Sequence, residues 1–542
     1  MRAALRDPEI LHRRRWLTLL VLCISLIVIT LDNTILNVAL PTLAKPLAQG
    51  GLAASSSQLQ WTVDAYTIVF AGLLLTAGSL GDRFGRYRGL AIGLTIFGIG
   101  SLASSFAGSA NVLIATRALM GVGGAFIMPS TLSILTNVFT DPAERGKAIG
   151  IWAGVSALGI GLGPISGGTL LSHFWWGSVF LVNVPIVIAG LVLGFLLVPE
   201  SRDPSKPRLD PLGAALSIGG LTAVLWAVIE APSHGWSSVE VLLAFVVGAV
   251  ILGSFFAWEL HTDHPMLDMH FFENPRFTAA SGAITLTFFA LFGTLFLLTQ
   301  YLQSVLDYST VEAGAVLLPQ AATLMVCAPL SNVWVQRFGN KRVVTTGLLI
   351  VSASLFGFLL FTPESSVLTV ISVSMVMGIG MANIMAPATD SIMGSLPRAK
   401  AGVGSAVNDT TRQVGGAVGV AVLGSLLSSR YSSAVTDKLG AGFDAKLLGP
   451  VKQGVGQAVG IGRSVPGGDA IVDAAREAFV GGMHVAAVVA ACVTLIAAAG
   501  VAKWLPARPR DDEIVNAVRG EAPPSTPTGE PAAGELVGEP AS

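Results

Sequence analysis

Runs of about 20 apolar residues recur along the whole chain, and each is long enough to cross ~30 Å of hydrocarbon as a helix rising 1.5 Å per residue. Fourteen are found, at approximately 16–39, 59–80, 88–107, 110–135, 147–171, 175–198, 211–230, 238–259, 277–303, 311–336, 341–362, 366–390, 402–428 and 479–505. Only 12% of the residues are charged and 52% are hydrophobic. A soluble domain carries about twice that share of charge, so water is not the solvent for most of this surface. The chain reads as an all-α, multi-pass membrane protein. Its first run continues past Asp32, beyond the length of a signal core, and is read as retained. Cys23, Cys327 and Cys492 lie inside apolar runs, as small buried hydrophobes rather than a disulfide framework.

Orientation follows from the basic residues. The N-terminus carries Arg2, Arg6, Arg13, Arg14 and Arg15, and every second short connection continues the bias. These hold Arg83, Arg86 and Arg88, then Arg145 and Lys147, then Arg202, Lys206 and Arg208, then Arg276, then Arg337, Lys341 and Arg342, then Arg398 and Lys400; the intervening short loops hold only Lys45. Positive short loops stay in the cytosol. Both termini are therefore expected there, with the spans in the plasma (inner) membrane. The external connection 429–478 is too long for the charge rule to apply. Residues 506–542, rich in Pro, Glu, Gly and Ala, read as a disordered cytoplasmic tail.

An internal repeat at a separation of roughly 255 residues organises the spans. Asp82-Arg83-Phe84-Gly85-Arg86-Tyr87-Arg88 after span 2 is echoed by Gln336-Arg337-Phe338-Gly339-Asn340-Lys341-Arg342 after span 10. Met120-Gly121-Val122-Gly123, leading to Pro129, is echoed by Met377-Gly378-Ile379-Gly380, leading to Pro387. The small-residue run from Gly150 to Gly168 is matched loosely from Gly404 to Gly424. Three echoes in one order imply two related six-helix bundles, 1–205 and 266–505, with a two-helix insertion at 206–265. Parallel repeats around a central cavity suit alternating access.

At these residues the chain resembles the fourteen-helix drug:proton antiporters of the major facilitator superfamily, over roughly residues 16 to 505. Gly78-Ser79-Leu80-Gly81-Asp82-Arg83-Phe84-Gly85-Arg86-Tyr87-Arg88 is similar to the superfamily's loop signature G-x-L-a-D-r-x-G-r-k-x. The stretch from Leu31 to Pro41, with Asp32, resembles the first-helix motif of that subfamily. Arg117 followed by Gly121 resembles the fourth-helix arginine motif, and Gly159-Ile160-Gly161-Leu162-Gly163-Pro164 with Gly167 and Gly168 the fifth-helix exporter motif. The resemblance implies the major facilitator fold and assigns Gly78, Asp82, Arg83, Gly85 and Arg86 to conformational switching. A solvated positive loop would need neither the aspartate nor the glycines. Gln336 replaces the acid in the second copy, leaving that half a packing role.

Charges inside the spans supply the candidate coupling groups. An intramembrane carboxylate carries an insertion penalty of ~2.5–3.5 kcal/mol, so Asp32 needs a reason to be there. Span 1 runs outward and span 4 inward, which puts Asp32 and Arg117 at similar depth in the outer half; such a pair serves coupling or structure. Asp64 near the outer start of span 2 is a third candidate, or reaches interfacial water. Asp409 and Arg412 share one face of span 13 at i and i+3, as a self-neutralising pair or as part of a pathway. Span 10 offers only Glu312 near its outer end and neutral Gln320 deeper in, a departure from relatives that handle divalent cations.

Gly159, Gly163 and Gly167 form a smooth stripe interrupted by Pro164, either for tight packing or as a hinge and sealing face toward the gap between bundles. Trp61, Tyr66, Phe288, Phe289, Phe292, Phe296, Gln300 and Gln303 are candidate lining for planar, amphipathic or cationic compounds, though packing alone accounts for many such rings. No phosphate-binding G-x-x-x-x-G-K-[ST] loop is present, since Gly146-Lys147 lacks the upstream glycine and the hydroxyl residue. The histidines have no ligand spacing. An enzyme, a metal, a cofactor and a nucleic-acid partner are thus not expected. The expected function is proton-coupled export of small amphipathic toxic compounds by a monomer in the lipid bilayer; the alternatives are export of a metabolite such as a siderophore or amino acid, and a membrane sensor without turnover.

Overall fold

The computed structural model describes residues 8–204, 209–439, 445–465 and 468–506. Arg2, Arg6, Lys206, Arg208 and all but the first residue of the expected tail lie outside the described residues.

Among the described residues, fourteen helical segments are long and apolar enough to cross a membrane, and there is no strand. They are α1 (Pro8–Leu43), α2 (Ser56–Phe84), α3 (Arg86–Ser105), α4 (Ala110–Val138), α5 (Pro142–His173), the broken pair α6 (Ser178–Leu181) and α7 (Asn183–Leu197), α8 (Pro211–His234), α9 (Val239–His261), α10 (Pro275–Gln300), α11 (Thr310–Phe338), α12 (Asn340–Gly357), α13 (Val367–Gly394), α14 (Ala401–Leu439) and, after two short helices, α17 (Asp469–Trp504). Local sequence sets the boundaries. Ser55 and Gln58 form a reciprocal cap that starts α2, as Ser309 and Glu312 do for α11. Asp141 caps α5 with Pro142 in its first turn. The break in span 6 falls at Val182, so that Pro185, which has no N–H, sits in the first turn of α7.

The repeat is visible in the backbone. Gly85 and Gly339 each end one helix and open the next with positive φ, 124° and 82°. At Gly85 a Cβ would also lie 2.6 Å from Glu200 Oε1, so a side chain there would both strain the backbone and displace that carboxylate.

Two apolar cores result. One gathers side chains from Leu19 to Val198, the other from Leu221 to Leu505. Among the described, buried members, Leu75 on one side and Ala386, Met393 and Ala401 on the other cross between them, and half-buried Ala157 packs against the second core. The halves meet where α5 packs on α11 and α2 on α14, contacts that the repeat relates to one another. In the insertion, α8 packs on α2 and α14, and α9 packs on α8. α9 leaves Leu242, Leu243, Val246, Val247 and Val250 exposed, a face that suits lipid.

The expected connection 429–478 is shorter than the hydropathy pattern indicates. α14 continues to Leu439, α15 (Ala445–Gln453) and α16 (Val455–Ser464) follow, and α17 begins at Asp469. The extra turns of α14 are amphipathic rather than uniformly apolar: Tyr431 and Val435 are buried while Lys438 faces outward, and the Tyr431 hydroxyl donates to Val451 O at 2.9 Å. A hydropathy window misses a helix that outruns the hydrocarbon.

Candidate functional site

Three polar assemblies are held inside the helical bundle. The first is centred on Asp32, which is 0% exposed. Arg117 of α4 donates to its Oδ2, and Asn183, at the start of α7, donates to its Oδ1 at 3.0 Å and to Ser101 Oγ at 3.1 Å. The guanidinium is held further by its Nε donating to Thr62 O at 3.1 Å and by the Tyr66 ring 4.4 Å beneath it. Asp32 and Arg117 are thus brought together, with both carboxylate oxygens satisfied. Asn183 carried no sequence signal: a lone asparagine near a span end is common, and its reach depends on the helix break at Val182. Asp64 does not join the pair. Its Oδ2 is buried without a hydrogen-bond partner one turn from Gln60.

The second assembly lies where the halves meet. Arg412 is 4% exposed and sits between Trp152 of α5 and Phe288 of α10, with its guanidinium carbon 5.0 Å and 5.2 Å from the ring centroids. It donates to Thr389 Oγ1 at 3.0 Å; Thr389 donates to Asn408 Oδ1 at 3.2 Å, and Asn408 donates to Asp409 Oδ1 at 3.2 Å. Asp409 and Arg412 therefore communicate through two neutral side chains and form no direct ion pair. Of the two readings their spacing allowed, a self-neutralising pair in direct contact is not formed, because the guanidinium leans onto the rings.

The third assembly ties the halves at the end that carries the basic loops. Asp82 and Arg86 pair at 2.6 Å, 2% and 1% exposed. Asp82 also accepts the N–H groups of Gly402 and Val403 at 2.9 and 3.1 Å, so it caps the positive N-terminal end of α14 in the opposite half. Arg86 donates to the carbonyls of Arg398 and Ala399 at 2.8 and 2.9 Å. Gly78 makes this approach possible, since a Cβ there would lie 2.6 Å from Gly402 O. Arg145 pairs across the gap with Asp390 at 2.8 Å, and Arg398 donates to Thr140 O at 3.2 Å. Arg83 is half-buried, with its guanidinium 5.4 Å from the Phe84 ring. In the second copy, Gln336 is exposed and Asn340 binds Ser391 within its own half.

The glycine stripe faces elsewhere than a gap-sealing role requires. Cβ atoms on Gly159 and Gly163 would collide with Thr30 and Thr34 of α1, and one on Gly167 would lie 3.0 Å from Ile35. The stripe seats α1 within the first half. Other residues of α5 meet α11 across the gap: a Cβ on Gly150 would be 2.7 Å from Ala328 O, one on Gly154 2.8 Å from Met325 Cα, and Pro164 opposes Gly314. Helical phase separates the two sets, so the sequence run contains both faces.

Of the expected cavity lining, Tyr66 is committed to Arg117, and Phe292 packs against Phe288 at 5.7 Å and over Gly416. Trp61 and Gln300 are half-buried near the helix ends opposite the basic loops. These four do not form one constellation. Trp152, missed in the sequence because it lies within a small-residue run, is fully buried and held by its Nε1 donating to Thr131 Oγ1 at 3.2 Å.

Residues 22–420 match the Major Facilitator Superfamily. The chain belongs to that superfamily. Within it, the chain is 40% identical over 490 residues to the multidrug efflux pump LfrA of Mycolicibacterium smegmatis, covering 90% of this chain and 96% of the pump. It is 34% identical over 493 residues to the methyl viologen resistance protein SmvA of Salmonella typhimurium, covering 90% and 98%. Identity to the tetracenomycin C resistance and export protein of Streptomyces glaucescens is 33% over 498 residues, covering 90% and 91%. Among solved structures, the human organic anion transporter MFSD10 superposes with a TM-score of 0.59 over 90% of this chain and 99% of its own, at 14% identity, a likeness of fold. In this member of the superfamily, then, the Asp82–Arg86 assembly joins the two halves at the end that carries the basic loops.

Proposed function

We propose that this facilitator is a secondary transporter, not an enzyme, that exports small amphipathic toxic compounds in exchange for protons. The observation that carries the reading is the Asp32–Arg117–Asn183 centre, a carboxylate wholly buried in a membrane bundle whose halves are tied at one end by separable polar contacts. Intramembrane ionisable groups mark ion and substrate pathways, and rocking of two halves needs ties that break without unfolding either core. Similarity to efflux and resistance proteins over 90% of the chain supplies the substrate class. Energy suffices: a proton moving down 100 mV releases about 2.3 kcal/mol, about a fiftyfold gradient of a neutral solute exchanged one for one, while a monovalent cation so exchanged moves no net charge and is driven by the pH difference, about tenfold per pH unit.

The same reading places the basic loops and both chain ends in the cytosol and the spans in the plasma membrane, with the clasp at Asp82 closing the cytosolic side. It takes 1–205 and 266–505 as the moving halves, 206–265 as an inserted pair, and one copy as the working unit. Asp64 and Asp409 are further proton-handling candidates. The test is reconstitution in liposomes with an imposed pH gradient, following ethidium and a set of antibiotics, with native protein beside Asp32→Asn. Gradient-driven flux in the native protein that collapses in Asp32→Asn is expected. Equal flux in both removes Asp32 from coupling, and flux indifferent to every ion gradient replaces antiport with facilitated diffusion.

A further inference from the structure

Resting on the reading of this chain as an exporter, we propose that Trp152 and Phe288 form the seat of a transported organic cation, and that Arg412 occupies that seat as an internal stand-in until a cation displaces it toward Asp409.

A buried guanidinium ordinarily pairs with a carboxylate through two parallel hydrogen bonds. Asp409 is available, three residues away on the same helical face and 1% exposed. Arg412 nevertheless turns from it to the two rings and to Thr389. Both groups are left incomplete: Arg412 Nε and Asp409 Oδ2 are buried with no hydrogen-bond partner. Unsatisfied buried polar atoms are rare and need an explanation. Ser405 Oγ, one turn before Asp409, is buried without a partner as well, but a hydroxyl brings no charge; the guanidinium turned off the rings would bring Asp409 a charged donor. The side chain therefore has two discrete seats, each good for part of its bonding.

The rings belong to opposite halves, Trp152 to the first and Phe288 to the second. A cation held between them bridges the gap that alternating access opens. Any delocalised or lipophilic organic cation offers the ring quadrupoles the same attraction that Arg412 does, and its arrival frees Arg412 to complete Asp409. A neutral molecule of the same shape gains no such exchange. The indole is held for the purpose by Thr131, and the Thr389–Asn408 chain keeps Arg412 within reach of Asp409.

The experiment is equilibrium binding of tetraphenylphosphonium, with neutral triphenylphosphine oxide as control, to the full-length protein in nanodiscs. Arg412→Gln empties the seat and is expected to tighten tetraphenylphosphonium about tenfold while moving the neutral control less than about twofold. Arg412→Lys, which keeps a competing charge, should stay near native. Removing any positive charge nearby would help a cation, so the deciding variant is Arg412→Gln with Trp152→Leu, in which the gain should vanish. Phe288→Leu repeats that arm should the tryptophan variant not stay monodisperse. If Arg412→Gln fails to tighten the cation, or the gain survives loss of the ring in the deciding variant, the seat is refuted and the export reading stands. If the native protein neither binds the cation nor moves any dye down a gradient, the export reading itself falls and takes the seat with it.

Discussion

Replacing Asp82 by Asn should open the end of the molecule that the basic loops occupy. The carboxylate receives Arg86 Nε at 2.8 Å and the N–H groups of Gly402 and Val403 at 2.9 and 3.1 Å. Asn keeps the shape but removes the charge, and its amide presents a donor where one backbone N–H also needs an acceptor. Arg86, 1% exposed, is left between the halves as a charge without a counterion. Breaking a buried pair by removing one partner costs about 3–5 kcal/mol. Most of that penalty disappears if the halves part and water reaches Arg86. The closed arrangement should thus lose about 3 kcal/mol relative to the open one, a shift of about a hundredfold in their ratio. Spin labels at Arg88 and Arg342, both exposed at the basic end in opposite halves, report it as a new population at longer distance. Gly402→Ala, whose Cβ would lie 2.6 Å from Asp82 Cγ, should push in the same direction by wedging. An unchanged distance distribution in a folded Asp82→Asn protein would refute the clasp.

Arg117→Ala strands Asp32 in the bundle and should lower thermal stability by about 3–5 kcal/mol, whereas the double variant with Asp32→Asn recovers much of it; equal loss in both, measured by thermal unfolding in detergent, argues against a mutually dependent pair. Gly163→Val forces branched atoms into Thr34 of α1 and should destabilise by about 1–3 kcal/mol, with partial recovery on adding Thr34→Ala; recovery from a change on α11 instead would place the stripe at the gap. Outside the membrane, Asp307 is partly desolvated, which raises its pKa, but the hydrogen bonds and charges of Arg463 and Arg476 prevail and hold it below the usual carboxylate range. A folded pKa depressed in this way stabilises above the unfolded value of ~3.9 and is lost as pH falls through the folded one. Amide protection factors in 445–465, which divide out the intrinsic pH dependence of exchange, should therefore be flat near neutrality and fall only below about pH 4, while Asp307→Asn lowers them at neutral pH; protection indifferent to both would remove Asp307 from the hold on α15 and α16.

Fold was legible because lipid imposes it. Twenty apolar residues in a row leave a spanning helix little alternative, and the doublet around Gly85 and Gly339 reveals the repeat through a backbone angle that only glycine adopts readily. Span ends were less legible wherever a helix continues past the hydrocarbon, as at Ser429–Leu439. Within the site, Asp32 and Arg117 could be matched by depth, since α1 and α4 run antiparallel and depth is counted along the chain. Azimuth is not so counted. Which way Arg412 turns, and whether Gly159 faces α1 or α11, depends on helix rotation and on the neighbouring half. Asn183 and Trp152 escaped for the same reason: their partners are distant in sequence and their types are ordinary in a span.

The two intramembrane arginines sit at unrelated positions of the repeat, Arg117 in the fourth helix of the first half and Arg412 in the fifth helix of the second, and they are held differently. Arg117 is anchored by a carboxylate, a carbonyl and a ring, all from its own half; moving it would cost several contacts at once. Arg412 has a buried Nε without a partner and reaches a ring of each half. A centre anchored by a carboxylate resists displacement, and one left incomplete at the gap moves more easily between alternatives, because bistability requires that neither arrangement satisfy every group. The helix between them is α5, whose Gly159 and Gly163 press on α1 beside Asp32 and whose Trp152 carries Arg412. Any shift of α1 that follows a change at Asp32 must therefore either move Trp152 or open a void along the glycine stripe, and close packing disfavours the void.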